Sequence, residues 1–342
     1  MRLTRRSTLP ALAAATLLVG FTGSAAQAAT PVPKVGTPFP YVGLVRAAGA
    51  DRYETAAVIS QGSFQPSAGS SVFVTSGEAP ADALTAGPAA ASLDAPLLLT
   101  RAGDLPAPTA AELARLKPTT VYVVGGTDRV SDATLTAIGA AAPGSTVERI
   151  AGADRYATAV AVADAFFPNP EGVVLTRGDT FPDALSGGAA AASSGVPVMI
   201  TEPGQLPAPV ASWMAAHTFA ASLVVGGPDS VSPDVATALA ARTTGSAPTR
   251  IAGADRYDTS SAVAAKVFPK ATTVVLATGD NFPDALAGVP AAAVNAAPIL
   301  LLPQTCFPAS TFDYLSTFTE GVSEIILGGP TAVTPEALSV DC

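Results

Sequence analysis

Over residues 146–241 apolar and polar positions come in blocks, and each block has the length of one secondary-structure element. Val147-Glu148-Arg149-Ile150 is a short β-prone run, Ala151-Gly152-Ala153 a turn, and Asp154 a good N-cap for a helix over about 155–167. Tyr156, Val160, Ala163 and Phe167 share one face of that helix, and Pro168 and Pro170 stop it. Val173-Val174-Leu175-Thr176 is then an unbroken apolar run, the kind buried on both faces in a parallel sheet. Pro182 opens a helix of small residues that Gly195 ends, and small side chains let a helix approach a sheet closely. A strand over 196–201, a helix over 207–216 and a strand over 223–225 follow, the last ending in Gly226-Gly227. Ser232-Pro233 opens a fourth helix. Strand and helix alternate throughout, which predicts an open, doubly wound α/β layer structure of the Rossmann-like or flavodoxin-like kind, with a parallel sheet and right-handed crossovers.

The block pattern recurs. A-G-A-D-R-Y stands at 48–53, 151–156 and 252–257. D-A-L recurs in step with it, led by Asp82, Asp183 and Asp284, as does an apolar run ending in Gly125-Gly126, Gly226-Gly227 and Gly328-Gly329. A fixed period of this length means one unit used three times, here assigned to 43–145, 146–246 and 247–342. Copy one departs at Glu78-Ala79-Pro80-Ala81-Asp82, and copy three at Thr305-Cys306-Phe307-Pro308. Ahead of the repeats, Arg2, Arg5 and Arg6, an apolar stretch over 9–21 and Ala26-Gln27-Ala28 read as a secretory signal peptide over 1–28. Thr4-Arg5-Arg6 is compatible with either twin-arginine or general export. A Thr/Pro-rich linker fills 29–42.

Charge and cysteine content narrow the function. The chain has 18 Lys+Arg against 27 Asp+Glu, and loss of the signal peptide would take the net charge from −9 to −12. A nucleic-acid partner is not expected, because such proteins draw affinity from neutralising phosphates. No later segment is an apolar run of the ~18 residues that a membrane span needs. Cys306 and Cys342 suit one disulfide in an oxidising compartment, tying the chain end to the loop before the last helix.

In a parallel sheet the three recurring turns all fall at the carboxyl edge, where open α/β sheets bind ligands. Arg52, Arg155 and Arg256 stand in the first turn of a helix there, and Arg46, Arg149 and Arg250 end the strand before it. Arginine beside free helix N–H groups suits a phosphate or carboxylate. Asp82, Asp183 and Asp284 complete the candidate ligand-binding set. The same residues also have a structural reading: the aspartates cap helices, and the arginines pair with them to lock each repeat. Catalytic constellations are scarce. His217 has no counterpart in the other copies, no cluster matches zinc, and a carboxylate pair such as Asp179 with Asp183 resembles an acid–base site, although two acids flanking a helix start are usually capping groups. No catalytic residue and no cofactor are assigned.

R-I-A-G-A-D-R-Y-x-T, V-V-L-x-x-G-D-x-F-P-D-A-L, A-P-I-L-L and V-V-G-G, in that order and three times over, resemble the type 2 cell wall binding repeat. That family occurs in tandem threes in bacterial surface-layer proteins and cell wall hydrolases. The resemblance covers about 44–342. It implies an intramolecular pseudo-threefold trimer, with the strands at Pro96, Pro197 and Pro298 near the shared axis. It also implies a secreted, non-enzymatic protein held non-covalently at the wall by anionic secondary polymers among peptidoglycan. Such relatives usually carry an activity in an additional domain; none is read here, so a separate effector protein is one expected partner. Three sites on one body suit a polymer, since later contacts become intramolecular. An acidic chain repels an anionic polymer at long range, so attraction falls to local arginines, helix N-termini or a bridging divalent cation. A wall hydrolase or small-molecule enzyme, and a surface adhesin binding another protein, are the alternatives.

Overall fold

A computed structural model describes residues 41–342. The signal peptide over 1–28 and most of the linker over 29–42 lie outside the described residues. Copy one runs β1 (Tyr41–Ala47), α1 (Arg52–Ser63), β2 (Ser71–Ser76), α2 (Pro80–Ser92), β3 (Leu97–Thr100), α3 (Ala107–Leu116), β4 (Thr120–Val124) and α4 (Asp132–Ala141). Copy two runs β5 (Thr146–Ile150), α5 (Arg155–Phe166), β6 (Gly172–Arg177), α6 (Pro182–Ser194), β7 (Val198–Thr201), α7 (Ala208–Ala216), β8 (Ala221–Val225) and α8 (Pro233–Ala240). Copy three runs β9 (Thr249–Ile251), α9 (Arg256–Val267), β10 (Thr273–Thr278), α10 (Pro283–Val294), β11 (Ile299–Leu302), α11 (Ala309–Ser316) and β12 (Val322–Leu327). It ends in a 3-10 turn, Glu336–Leu338, where the other copies have α4 and α8. The Cys306–Cys342 disulfide and a parallel bridge from Phe307 to Asp341 fasten that end.

The strands form three four-stranded sheets, ordered β3-β2-β4-β5, β7-β6-β8-β9 and β11-β10-β12-β1, with every pairing parallel. The strand before each A-G-A-D-R-Y turn therefore lies in the sheet of the preceding copy. β5 extends the first sheet with Ile150 opposite Val124, and β9 extends the second with Ile251 opposite Val225. β1 closes the cycle: it joins the third sheet, with Ala47 opposite Leu327. The helix after the turn covers its own copy's edge strand, α1 on β3, α5 on β7 and α9 on β11. Each turn is thus a chain crossing from one module to the next.

The small-residue helices α2, α6 and α10 pack against one another at the centre. Residues 81–90 of α2 are all buried, which explains why that helix is apolar on every side. Equivalent positions must meet on a threefold axis, and Gly87, Gly188 and Val289 do so. A Cβ on Gly87 would lie 2.9 Å from Val289 Cβ, and one on Gly188 3.5 Å from Val289 Cγ2. Two missing side chains make room for one valine. The edge strands β3, β7 and β11 stand one layer out from the axis, packed on α10, α2 and α6 of the neighbouring modules. Leu84, Leu185 and Leu286 belong to one continuous core cluster, so the three modules share an interior.

Candidate functional site

Each sheet has a topological switch point. The chain leaves β2 toward β3 on one side and returns to β4 on the other, so the carboxyl ends of β2 and β4 flank a crevice where such sheets bind ligands. The same holds for β6 with β8 and for β10 with β12. The D-A-L aspartate enters from the first turn of α2, α6 or α10. The Gly-Gly turn roofs it. Gly125 and Gly226 have φ of 123° and 115°, and an added Cβ would meet Asp82 Oδ2 at 2.9 Å and Asp183 Oδ2 at 2.6 Å. Gly328 and Asp284 are packed in the same way. Both backbone conformation and space demand glycine.

The next copy supplies the open side of the crevice. Asp82 faces Arg155 and hydrogen-bonds Thr158, both on α5. Asp284 faces Arg52 and hydrogen-bonds Thr55, both on α1. Asp183 faces Arg256 of α9, and Ser230 of its own copy donates to its Oδ2 at 3.1 Å. Copy one answers copy three, so the junctions form a closed cycle of three clefts. Among the described residues no ion pair within 4.0 Å joins these aspartates to these arginines. Burial is the largest influence on the carboxyls and raises all three, with the facing arginines and hydroxyls pulling the other way. Asp284 is pushed up to about 6.

The arginines divide into two sets. Arg52, Arg155 and Arg256 each donate from Nη1 to the carbonyl after the second strand, on Gly77 at 2.5 Å, Gly178 at 2.8 Å and Gly279 at 2.6 Å. That bond uses one of five N–H donors. Arg46, Arg149 and Arg250 clamp the Gly-Gly turn instead. They donate to Gly328 O at 2.8 Å, Gly125 O at 2.8 Å and Gly226 O at 2.7 Å. Their Nη2 groups reach Val333 O, Asp132 Oδ1 and Val231 O at 3.0, 3.1 and 2.8 Å. The strand and the turn so joined belong to successive copies, and this clamp holds the exchanged strand in place.

The three clefts are not identical. Arg52 lies over the Phe282 ring at 5.8 Å and Arg256 over Phe181 at 5.9 Å, while the two rings touch at 5.5 Å. Copy one has Pro80 at that position, so Arg155 lacks a ring, and Arg129 adds a second cation near Asp82. The threonines of R-Y-x-T acquire a role that their sequence position left unassigned. Thr55, Thr158 and Thr259 accept from Gly49, Gly152 and Gly253 N–H at 3.0–3.1 Å, fixing the crossing turn, and two of them also hydrogen-bond the neighbouring aspartate. Their repetition at one offset was the available signal.

Other acids at this edge have local partners. Asp51, Asp154 and Asp255 cap α1, α5 and α9 through two backbone N–H groups each. Asp179 is gripped by Arg177 through two bonds, which holds its carboxyl below the usual range, while Asp183 is raised. Asp280 accepts from Tyr257 Oη at 3.0 Å, and Glu78 from Ala102 N at 3.0 Å. His217 sits against Trp213, its Nδ1 2.8 Å from the Trp213 carbonyl, away from the clefts. Among the described residues no group of three His, Cys, Asp or Glu side chains could hold a metal ion, and no helix is long and apolar enough to cross a membrane.

Known proteins share this architecture. The chain is similar to Cwp6 from Clostridium difficile, at 28% identity and a TM-score of 0.79, over 88% of this chain and 48% of that one. Cwp8 from the same organism matches at 26% identity and a TM-score of 0.78, over 87% of this chain and 51% of the other. Among curated proteins it is similar to the N-acetylmuramoyl-L-alanine amidase LytC of Bacillus subtilis (strain 168), 32% identical over 256 residues, or 75% of this chain and 49% of the amidase. The amidase enhancer of the same strain is 29% identical over 268 residues, 78% of this chain and 35% of the enhancer. The chain thus spans half or less of the length of these curated relatives. The family model described as cell wall binding domain 2 matches residues 46–135, 149–236 and 250–338, and with three such matches covering most of its length the chain belongs to the cell wall binding domain 2 family.

Proposed function

We propose that this protein is a secreted, non-enzymatic anchor that attaches to anionic secondary polymers of the cell wall through the three inter-repeat clefts. The observation that carries the reading is the cycle of junctions, each presenting an arginine of one copy beside the switch point of the copy before it. Arg52, Arg155 and Arg256 are the ligand-contacting residues in this reading, because most of their donors are not used by the fold. Arg46, Arg149 and Arg250 act as clamps that shape the clefts. Asp82, Asp183 and Asp284 line the same crevices. A rigid body with three clefts binds a repeating strand with avidity, because the second and third contacts follow within one complex. Guanidinium groups at helix N-termini suit phosphate or carboxylate repeats despite the acidic net charge.

The test is a pelleting assay with purified cell walls, before and after removal of the anionic polymers, with and without a chelator. Binding that disappears with the polymers supports the reading, and binding unchanged by their removal refutes it. Loss on chelation alone would assign the contact to a bridging divalent cation. Replacing Arg52, Arg155 and Arg256 together by Ala should weaken pelleting at least tenfold while the protein stays folded. Each lost charge-assisted bond to a carbonyl costs roughly 1.5–3 kcal/mol of stability, so circular dichroism must accompany the assay.

A further inference from the structure

Asp82, Asp183 and Asp284 share their crevices with the arginines that the proposed function gives to the ligand, and a role for them in attachment rests on that reading. A buried carboxylate ordinarily sits in a direct ion pair, because an unpaired charge is expensive to desolvate. Here the aspartates are roofed by a glycine turn, hydrogen-bonded by a hydroxyl, and not ion-paired within 4.0 Å. The charged and polar groups facing them are few. Asp82 is faced by Arg129 beyond β4 and by Arg155 and Thr158 of α5. Asp183 is faced by Arg177 of β6, Ser230 beyond β8 and Arg256 of α9. Asp284 is faced by Arg52 and Thr55 of α1. No second carboxylate is among these groups, but Asp179 shares Arg177 with Asp183 and faces Arg155, so an incoming anion competes with the buried aspartate and, in two of the crevices, with Asp179 as well.

We propose that the three aspartates make attachment proton-linked: an anionic group entering a cleft engages the arginine, the aspartate beside it takes up a proton, and binding strengthens as the surroundings acidify. A like charge brought near a buried carboxylate disfavours its ionised form. Linkage is reciprocal, so whatever factor the ligand adds to proton affinity, protons add to ligand affinity. The proton also turns a competing acceptor into an O–H donor that can bond the ligand. Burial already raises all three carboxyls above their ordinary range, Asp284 to about 6.

A soluble poly(glycerol phosphate) is a suitable probe, since its diester charges do not titrate between pH 5 and 8. Affinity of the wild-type protein should rise about tenfold from pH 8 to pH 5, one pKa unit of coupling being one factor of ten. Calorimetry at pH 6.5 in two buffers of different ionisation enthalpy should show net proton uptake on binding. The triple variant Asp82→Asn, Asp183→Asn, Asp284→Asn should bind at pH 8 as tightly as wild type does at pH 5, with the slope gone. Binding that is flat with pH and takes up no proton overturns the linkage and leaves the anchoring reading intact. Retention of the slope in the triple variant also overturns it. Absence of binding at every pH overturns both. Should the triple variant not fold, the wild-type calorimetry alone decides.

Discussion

Gly87 is the position where the threefold packing can be broken with one methyl group. In an ordinary helix interior, Gly→Ala gains roughly 0.5–1 kcal/mol from reduced backbone entropy. At position 87 the new Cβ would lie 2.9 Å from both Cβ and Cγ1 of Val289, well inside van der Waals contact. Overpacking of a core costs about 1–3 kcal/mol, so Gly87→Ala should destabilise by about 1–2 kcal/mol net. Gly188→Ala is the matched control on the same axis. Its Cβ would sit 3.5 Å from Val289 Cγ2, an ordinary contact, so that variant should be neutral or up to about 1 kcal/mol more stable. Gly87 precedes Pro88, which disfavours a side chain in helical backbone, but Val289 precedes Pro290 in the same setting and is accommodated. A double-mutant cycle with Val289→Ala removes the ambiguity, because the clash depends on residue 289 and the proline effect does not. Urea unfolding followed by far-UV circular dichroism should give a coupling of about 1 kcal/mol or more. A Gly87→Ala protein as stable as wild type, or one uncoupled from Val289→Ala, would refute the axial packing.

Asp284 titrates in the fold at about 6 against an ordinary 3.8, so its charged form opposes folding. Stability from this group is full below about pH 4 and is lost as pH rises through 6; Asp284→Asn should therefore stabilise at pH 8 by up to about 3 kcal/mol and flatten Tm against pH between 4 and 7. Asp82 and Asp183 shift the same way, so the wild-type Tm should fall, not rise, from pH 5 to pH 8. The Cys306–Cys342 link closes a loop of 36 residues, for which chain-entropy reasoning gives about 4 kcal/mol; reduction should expose the last residues to proteolysis and lower Tm, and an unchanged Tm would place it outside the cooperative unit. Where the first sheet meets α5, Phe73, Tyr122 and Phe166 pack tilted and edge-on with centroids 4.9–5.1 Å apart, whereas Val174, Leu223 and Val267 take those positions where the second sheet meets α9, beside a pocket of about 310 Å³ lined by Val174, Val196 and Leu223. Val174→Phe should fill it and stabilise by about 1 kcal/mol, whereas a fall in Tm would show that the second module has closed around its smaller residues.

Local chemistry was legible in the sequence and long-range pairing was not. The helix opened by Pro182 and ended by Gly195 runs over Pro182–Ser194, and the apolar run at 173–176 lies inside β6. Proline, glycine and the Asp154 cap act on their own few residues, so those boundaries carry their own cause. Arg46 shows the opposite case. Its guanidinium bonds a carbonyl 282 residues away, and nothing within β1 says so. Likewise the run at 147–150 reads as a strand, but sequence adjacency groups it with α5, while the structure pairs it with β4. The chemistry of the clefts was half visible: the repeated arginines and aspartates stood out by recurrence, yet the partner of each comes from another copy.

That strand exchange also explains why three copies behave as one body. Were each sheet completed by its own copy, the packing of the central helices and their neighbours alone would hold the modules together. Because β5 and β9 complete the sheet before them and β1 completes the last, each crossing turn is pinned on both sides, by a strand in one module and a helix in the next. The arginine clamps Arg46, Arg149 and Arg250 reinforce that same step. The spacing between clefts is then set by the ring and not by chain flexibility. A ligand whose repeat matches that spacing meets its second and third contacts without further ordering cost, and one whose repeat does not match gains nothing from them. Under the proposed function, selectivity for a polymer would reside as much in the ring as in any single arginine.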